Sequence, residues 1–118
     1  MSPYDDETPG EQMDRRQSLM STERHALPVH VDAAELGTLL RRLRRERRLS
    51  IEALAFAADM HRTYLPEIER GLRNPSLGKL SDLALALGVP LSMVILEAER
   101  RTRVARIAES IERAGDAA

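Results

Sequence analysis

The stretch SIEALAFAADMHRTYLPEIERGLRNPS, residues 50–76, decides the fold. Ser50 stands where a helix N-cap is needed, because its hydroxyl can accept one of the free N–H groups of a first turn. Leu54, Ala55 and Ala58 follow at helical spacing and form one apolar face. Asp59-Met60-His61 breaks that pattern, and it resumes with Tyr64, Leu65 and Ile68. Gly71 then closes the second run, as glycine does after a helix C-terminus. Asn74-Pro75-Ser76 is a turn, with Ser76 poised as the next cap. The stretch therefore reads as a helix of about eight residues, a turn of three to four, and a second short helix.

The flanks extend the same grammar. Upstream, Leu36, Leu39, Leu40 and Leu43 fall at i, i+3, i+4 and i+7. Asp32 is the expected N-cap, and Glu35 lies at capping-box distance from it. This helix is expected from Ala33 to Arg47. Downstream, Leu77, Leu80, Leu83, Ala84 and Leu87 make a fourth helix stopped by Gly88. Pro90 opens a fifth, with Leu91, Val94 and Ile95 apolar. No segment alternates with period two, so the fold class is all-α, five short helices in residues 32–97. An additional C-terminal amphipathic helix lies within residues 98–118, with Val104, Ile107, Ala108 and Ile111 on one face. It either continues the fifth helix or follows a break near Ala98. Residues 1–31 show no apolar period and read as a disordered acidic tail. Met13 and Met20 are alternative starts to Met1.

Composition narrows the chemistry. The chain has 118 residues, 42% hydrophobic and only 3% aromatic, so the core is aliphatic. There is no cysteine, which removes disulfides and thiolate-ligated metals. No apolar run is long enough to span a membrane, and no secretory signal opens the chain, so a cytoplasmic, nucleoid-associated protein is expected. The net charge of −1 conceals a gradient. Residues 1–33 hold seven acids and three arginines, whereas residues 34–96 hold ten basic and seven acidic side chains. A basic domain behind an acidic tail is compatible with a polyanionic partner. The three histidines, His25, His30 and His61, form no metal-ligand spacing, and no phosphate-binding glycine loop exists. Neither enzyme activity, cofactor, metal nor small-molecule ligand is expected.

A capped helix, a short turn and a second helix closed by glycine make a helix-turn-helix. Residues 36–96 resemble the phage-repressor type of helix-turn-helix domain, the Xre/Cro family. The resemblance lies in Leu36-Gly37, Leu40/Leu43/Arg44, Leu49-Ser50, Leu54-Ala55, Tyr64-Leu65, Ile68-Glu69-Arg70-Gly71, Asn74-Pro75-Ser76 and Leu83-Ala84 with Leu87-Gly88-Val89. It implies that the third helix enters the major groove of double-stranded DNA. Base contacts are then expected from His61, Arg62, Thr63 and Glu67. Arg62 can donate twice to guanine, Thr63 can touch a thymine methyl, and Glu67 can accept from cytosine. Phosphate contacts are expected from Ser50, Arg73 and Asn74. Arg44 and Glu69 are expected to form a structural ion pair between the first and third helices. The implied function is sequence-specific transcriptional regulation, as a dimeric repressor on a palindromic operator.

Four residues depart from the family pattern. Ile51 stands where a DNA-contacting glutamine is common, Arg48 and Asp59 replace turn glycines, and Pro66 interrupts the third helix. Counted from His61 as cap, Pro66 would cost about 3 kcal/mol, unless residues 62–64 form a tighter turn. Glu52, Asp59, Glu67 and Glu69 also place negative charge near the expected DNA face. The alternative is an antitoxin-like regulator, or a structural adaptor, that keeps the fold but grips a protein partner. Leu96, Val104, Ile107 and Ile111 are the expected dimerisation residues of a homodimer; otherwise that stretch folds back on its own domain.

Overall fold

A computed structural model describes residues 28–116 of the chain. These form five helices: α1 Ala33–Glu46, α2 Ile51–Ala57, α3 Tyr64–Glu69, α4 Leu77–Leu87 and α5 Leu91–Asp116. No strand occurs among the described residues. The expectations for residues 1–27 lie outside the described region.

Local chemistry sets the boundaries. Asp32, Ser50 and Ser76 cap α1, α2 and α4 through their side-chain oxygens, which accept from Ala34, Ala53 and Lys79 N–H at 3.2, 3.0 and 3.1 Å. Gly88 ends α4 in the left-handed conformation, at φ 71°. The turns at Arg48 and Asp59 are left-handed as well, at φ 55° and 52°, although neither is glycine.

The capping box at α1 does not form. Glu35 turns away from Asp32 and pairs with Arg101 on α5 at 3.2 Å. The Asp32 N–H donates instead to Thr102 Oγ1 at 3.1 Å, and that hydroxyl donates onward to the Ala98 carbonyl at 2.8 Å. The reason is tertiary: α5 lies across the start of α1 and supplies both partners. Sequence spacing sees only the local competitor.

Leu39, Leu40, Leu54, Leu65, Leu83 and Val94 are fully buried, one or two from each helix. Every helix thus contributes to one aliphatic core, with Ala55 and Ala58 supplying the small surface where α2 approaches its neighbours. The helices α1 and α3 pack tightly against each other. A Cβ on Gly37 would run into the backbone carbonyls of Ile68 and Glu69, and one on Gly71 would lie 2.7 Å from the Ala34 Cα. Glycine at both positions lets α3 seat directly on α1.

The C-terminal stretch settles one open expectation. Of the two alternatives, α5 runs unbroken from Leu91 through Ala98 to Asp116, turning 106° from the direction of α4. Its first half is anchored by buried Val94, Ala98 and Thr102. Beyond Arg103 nearly every side chain is exposed, so the stretch does not fold back over the domain.

Candidate nucleic-acid interface

The α2 helix, the turn of residues 58–63 and α3 present one continuous outer surface. Its position is fixed from beneath. Arg44 on α1 makes a two-pronged contact with Glu69 on α3, Nε to Oε2 at 2.8 Å and Nη2 to Oε1 at 2.9 Å. Its remaining Nη1 donates to the Leu49 carbonyl at 2.9 Å, tying in the turn before α2. The two side chains are only 11% and 5% exposed. The hydrogen bond to Glu69 raises the Arg44 pKa above its already high ordinary value, so the guanidinium stays charged. Such a geometry sets the angle of α3 on α1 rather than contributing surface charge.

A second anchor was not anticipated. Lys79, the single lysine, reaches from the first turn of α4 to the carbonyl of Asp59. This holds the left-handed turn residue between α2 and α3. Arg47 similarly donates to the Leu87 carbonyl at the end of α4. Neither contact has a sequence signature, since partners 20 and 40 residues apart share no local pattern.

The start of α3 resolves the proline conflict. The helix begins at Tyr64, not directly after His61. Tyr64 N–H donates to the His61 carbonyl at 3.0 Å, closing a tight turn. The His61 ring Nδ1 accepts from Thr63 N–H at 3.2 Å and lies 2.7 Å from the Thr63 hydroxyl. Pro66 is therefore the third helical residue, where a backbone N–H would have no intrahelical partner anyway. The penalty expected of a mid-helix proline does not arise.

His61, Arg62 and Thr63 are all exposed on this turn, beside one another. Arg62 makes no ion pair or side-chain hydrogen bond among the described residues. Glu67 is half-buried and paired with Arg73 at 2.5 Å, and the Arg73 guanidinium sits 5.2 Å over the Tyr64 ring. Glu67 and Arg73 were expected to act separately, one on a base and one on phosphate; the structure joins them. Asn74 is exposed in the following loop. Ser50 uses its oxygen to accept at the cap, which leaves its own proton free to donate outward. Arg70, exposed at the end of α3, was not assigned a contact.

The surrounding charge differs from the sequence reading. Of the four acids feared near this face, Glu69 is buried against Arg44 and Glu67 is neutralised by Arg73. Glu52 and Asp59 remain exposed, against Arg62 and Arg70, since Arg73 is already paired with Glu67. Ile51 packs against the edge of the core instead of reaching outward. That role accounts for an apolar residue at a position where the family often carries glutamine.

A family model described as helix-turn-helix matches residues 40–94. The control protein C.MunI of Mycoplasma sp. is 40% identical over 65 residues, which span 54% of this chain and 88% of that protein. The chain belongs to the helix-turn-helix family. Within its Xre/Cro branch the match extends to the control protein C.BamHI of Bacillus amyloliquefaciens, 54% identical over 41 residues. That alignment covers 35% of this chain, and the chain spans about half, 51%, of the length of C.BamHI. Among solved structures, the clp gene regulator ClgR from Corynebacterium glutamicum superposes with a TM-score of 0.67 at 29% identity, covering 74% of this chain and 93% of that one. The helix-turn-helix pair of this chain is α2 and α3, and the exposed turn before α3 is its outward-facing part.

Proposed function

We propose that this chain is a sequence-specific DNA-binding transcriptional regulator, acting as a homodimeric repressor on a palindromic operator. The observation that carries the reading is the exposed trio His61, Arg62 and Thr63, held at the start of α3 above a buried scaffold. Arg62 reads guanine with two N–H donors. Thr63 and His61, linked through Nδ1, present a preorganised pair to the neighbouring base edge. Arg73 and Glu67 act as one unit: Glu67 holds Arg73 in place over Tyr64, and a phosphate competes for the same guanidinium. Ser50 and Asn74 donate to phosphates on either side. The relatives named as control proteins and the clp gene regulator support a regulatory role.

The homodimer is supported by Leu96, Val104, Ile107 and Ile111, each 52–67% exposed along the outside of α5. Pairing doubles the number of recognition helices, and matched half-sites multiply affinity. A single nuclease footprint on the DNA upstream of the chain's own gene tests the proposal. Two protected half-sites related by a dyad are expected. Uniform, sequence-independent protection would contradict specific recognition.

A further inference from the structure

The chain enters the domain beside the surface assigned to DNA. Val29 and His30, at the entry, border the same cleft as Asn74 and Pro75 of the loop after α3. The entry is held from α5: Arg106 donates to the His30 carbonyl at 3.4 Å, and the Thr102 hydroxyl accepts from the Asp32 N–H at 3.1 Å. Just inside α1, Ala34 lies against Gly71 at the end of α3. Arg41 stands seven residues further along α1, about 10 Å at the helical rise. Arg41 and Arg70 border a hollow of about 270 Å³, together with Ile51, Pro66 and the Arg44–Glu69 pair. Arg44 and Glu69 cancel each other. Arg41 and Arg70 are exposed, form no ion pair among the described residues, and outweigh Glu52, the chain neighbour of Ile51. The acid excess ahead of the domain has no part in the function proposed above. It is concentrated: residues 1–14 hold Asp5, Asp6, Glu7, Glu11 and Asp14 and no basic side chain.

We propose that the segment Asp5–Asp14 binds the Arg41–Arg70 hollow of its own chain and competes there with a DNA phosphate. The competitor role rests on the DNA reading above; the contact itself does not. Reach and charge select this occupant. Asp14 lies fifteen residues ahead of Val29, a length of chain that spans up to about 50 Å. The hollow is far closer to the entry than that. Five carboxylates meet two guanidinium groups that the domain's own acids leave uncancelled, and carboxylate and phosphate accept from a guanidinium in the same two-pronged way. Because segment and hollow belong to one chain, a weak contact suffices. A phosphate carries no sequence information, so the competition lowers affinity for every duplex alike and leaves base readout by Arg62 untouched.

The absence of cysteine lets the full chain carry a single nitroxide label at Thr8→Cys. The label should broaden the amide signals of Arg41 and Arg70 but not that of Glu112 on the far half of α5. The broadening should vanish at about 1 M salt, where the screening length is about 3 Å. No broadening at Arg41 and Arg70 would overturn the contact. Broadening seen only between chains, in a mixture of nitroxide-bearing and isotope-labelled copies, would overturn its intrachain form. In a second arm, D5N/D6N/E7Q/E11Q should raise affinity for the chain's own upstream duplex and for a scrambled one alike, roughly tenfold at about 50 mM salt. E99Q/E109Q/E112Q/D116N removes the same number of charges from α5 and should change affinity far less. Equal gains from the two variants would reduce the effect to net charge and overturn the competition. Binding of no duplex by any of these proteins would overturn the DNA reading and the competitor role with it, while the broadening still reports the contact.

Discussion

The inner face of α3 and the exposed turn that leads into it obey different rules. The inner face, Leu65, Ile68 and Glu69, is almost entirely buried and fixed by contacts with α1. The outer face is the turn leading into α3, His61 to Thr63, whose side chains are exposed. The six-residue helix therefore carries the scaffold, and the turn directly before it carries the candidate readout. Substitutions on the two faces should separate cleanly, with stability lost on one and DNA affinity on the other.

The hardest blow to the inner face is at Gly37. A methyl group there meets two backbone carbonyls that cannot rotate aside. Gly37→Ala should destabilise by about 3 kcal/mol or more, read by urea denaturation, since rigid overpacking reaches and exceeds that range. Breaking the buried pair comes next. Glu69→Ala leaves Arg44 uncompensated and should cost about 3–5 kcal/mol at the upper end, whereas Arg44→Met with Glu69→Leu should recover most of the loss. If the single and double variants were equally unstable, the pair would not be what seats α3.

On the outer face, Arg62→Ala should weaken specific DNA binding by about 1–3 kcal/mol. Its unfolding free energy should stay within about 0.5 kcal/mol of wild type. Asp59→Gly should act mildly on both sides of the comparison. It relieves a left-handed non-glycine residue and removes an exposed acid, so stability should rise by up to about 1 kcal/mol and DNA affinity should increase. The smallest effect is acid sensitivity away from α3. Arg100 holds the Glu97 carboxyl below its ordinary range through their hydrogen bonds. That pair contributes above the ordinary glutamate pKa and is lost as pH falls through the lowered value, so Glu97→Gln should slightly flatten the acid limb of the stability curve.

Most of the inner face was legible in the sequence, because burial imposes a period and capping imposes residue types. The leucine ladder of α1, the serine caps and the terminal glycines each have a local cause. What escaped notice depended on distant partners. Sequence spacing pairs Glu35 with Asp32, its neighbour in the chain, whereas in space Glu35 pairs with Arg101. Pro66 reads as a break only if the helix starts at His61; a turn closed by the His61 ring and carbonyl moves the start to Tyr64. Lys79 had no pattern to reveal its contact with Asp59. For the outer face, the sequence offers residue types and a resemblance, and the structure adds that Arg62 is exposed and has no side-chain partner among the described residues.

The most direct measurement is a fluorescence-anisotropy titration of the full chain on its own upstream duplex, repeated across salt concentrations and with Arg62→Ala. Specific binding should weaken with salt, with a log–log slope near −0.9 per phosphate contact. The Arg62→Ala variant should keep that slope and lose affinity only for the specific duplex. Equal affinity for specific and scrambled duplexes, or an Arg62→Ala variant indistinguishable from wild type, would contradict readout by the start of α3.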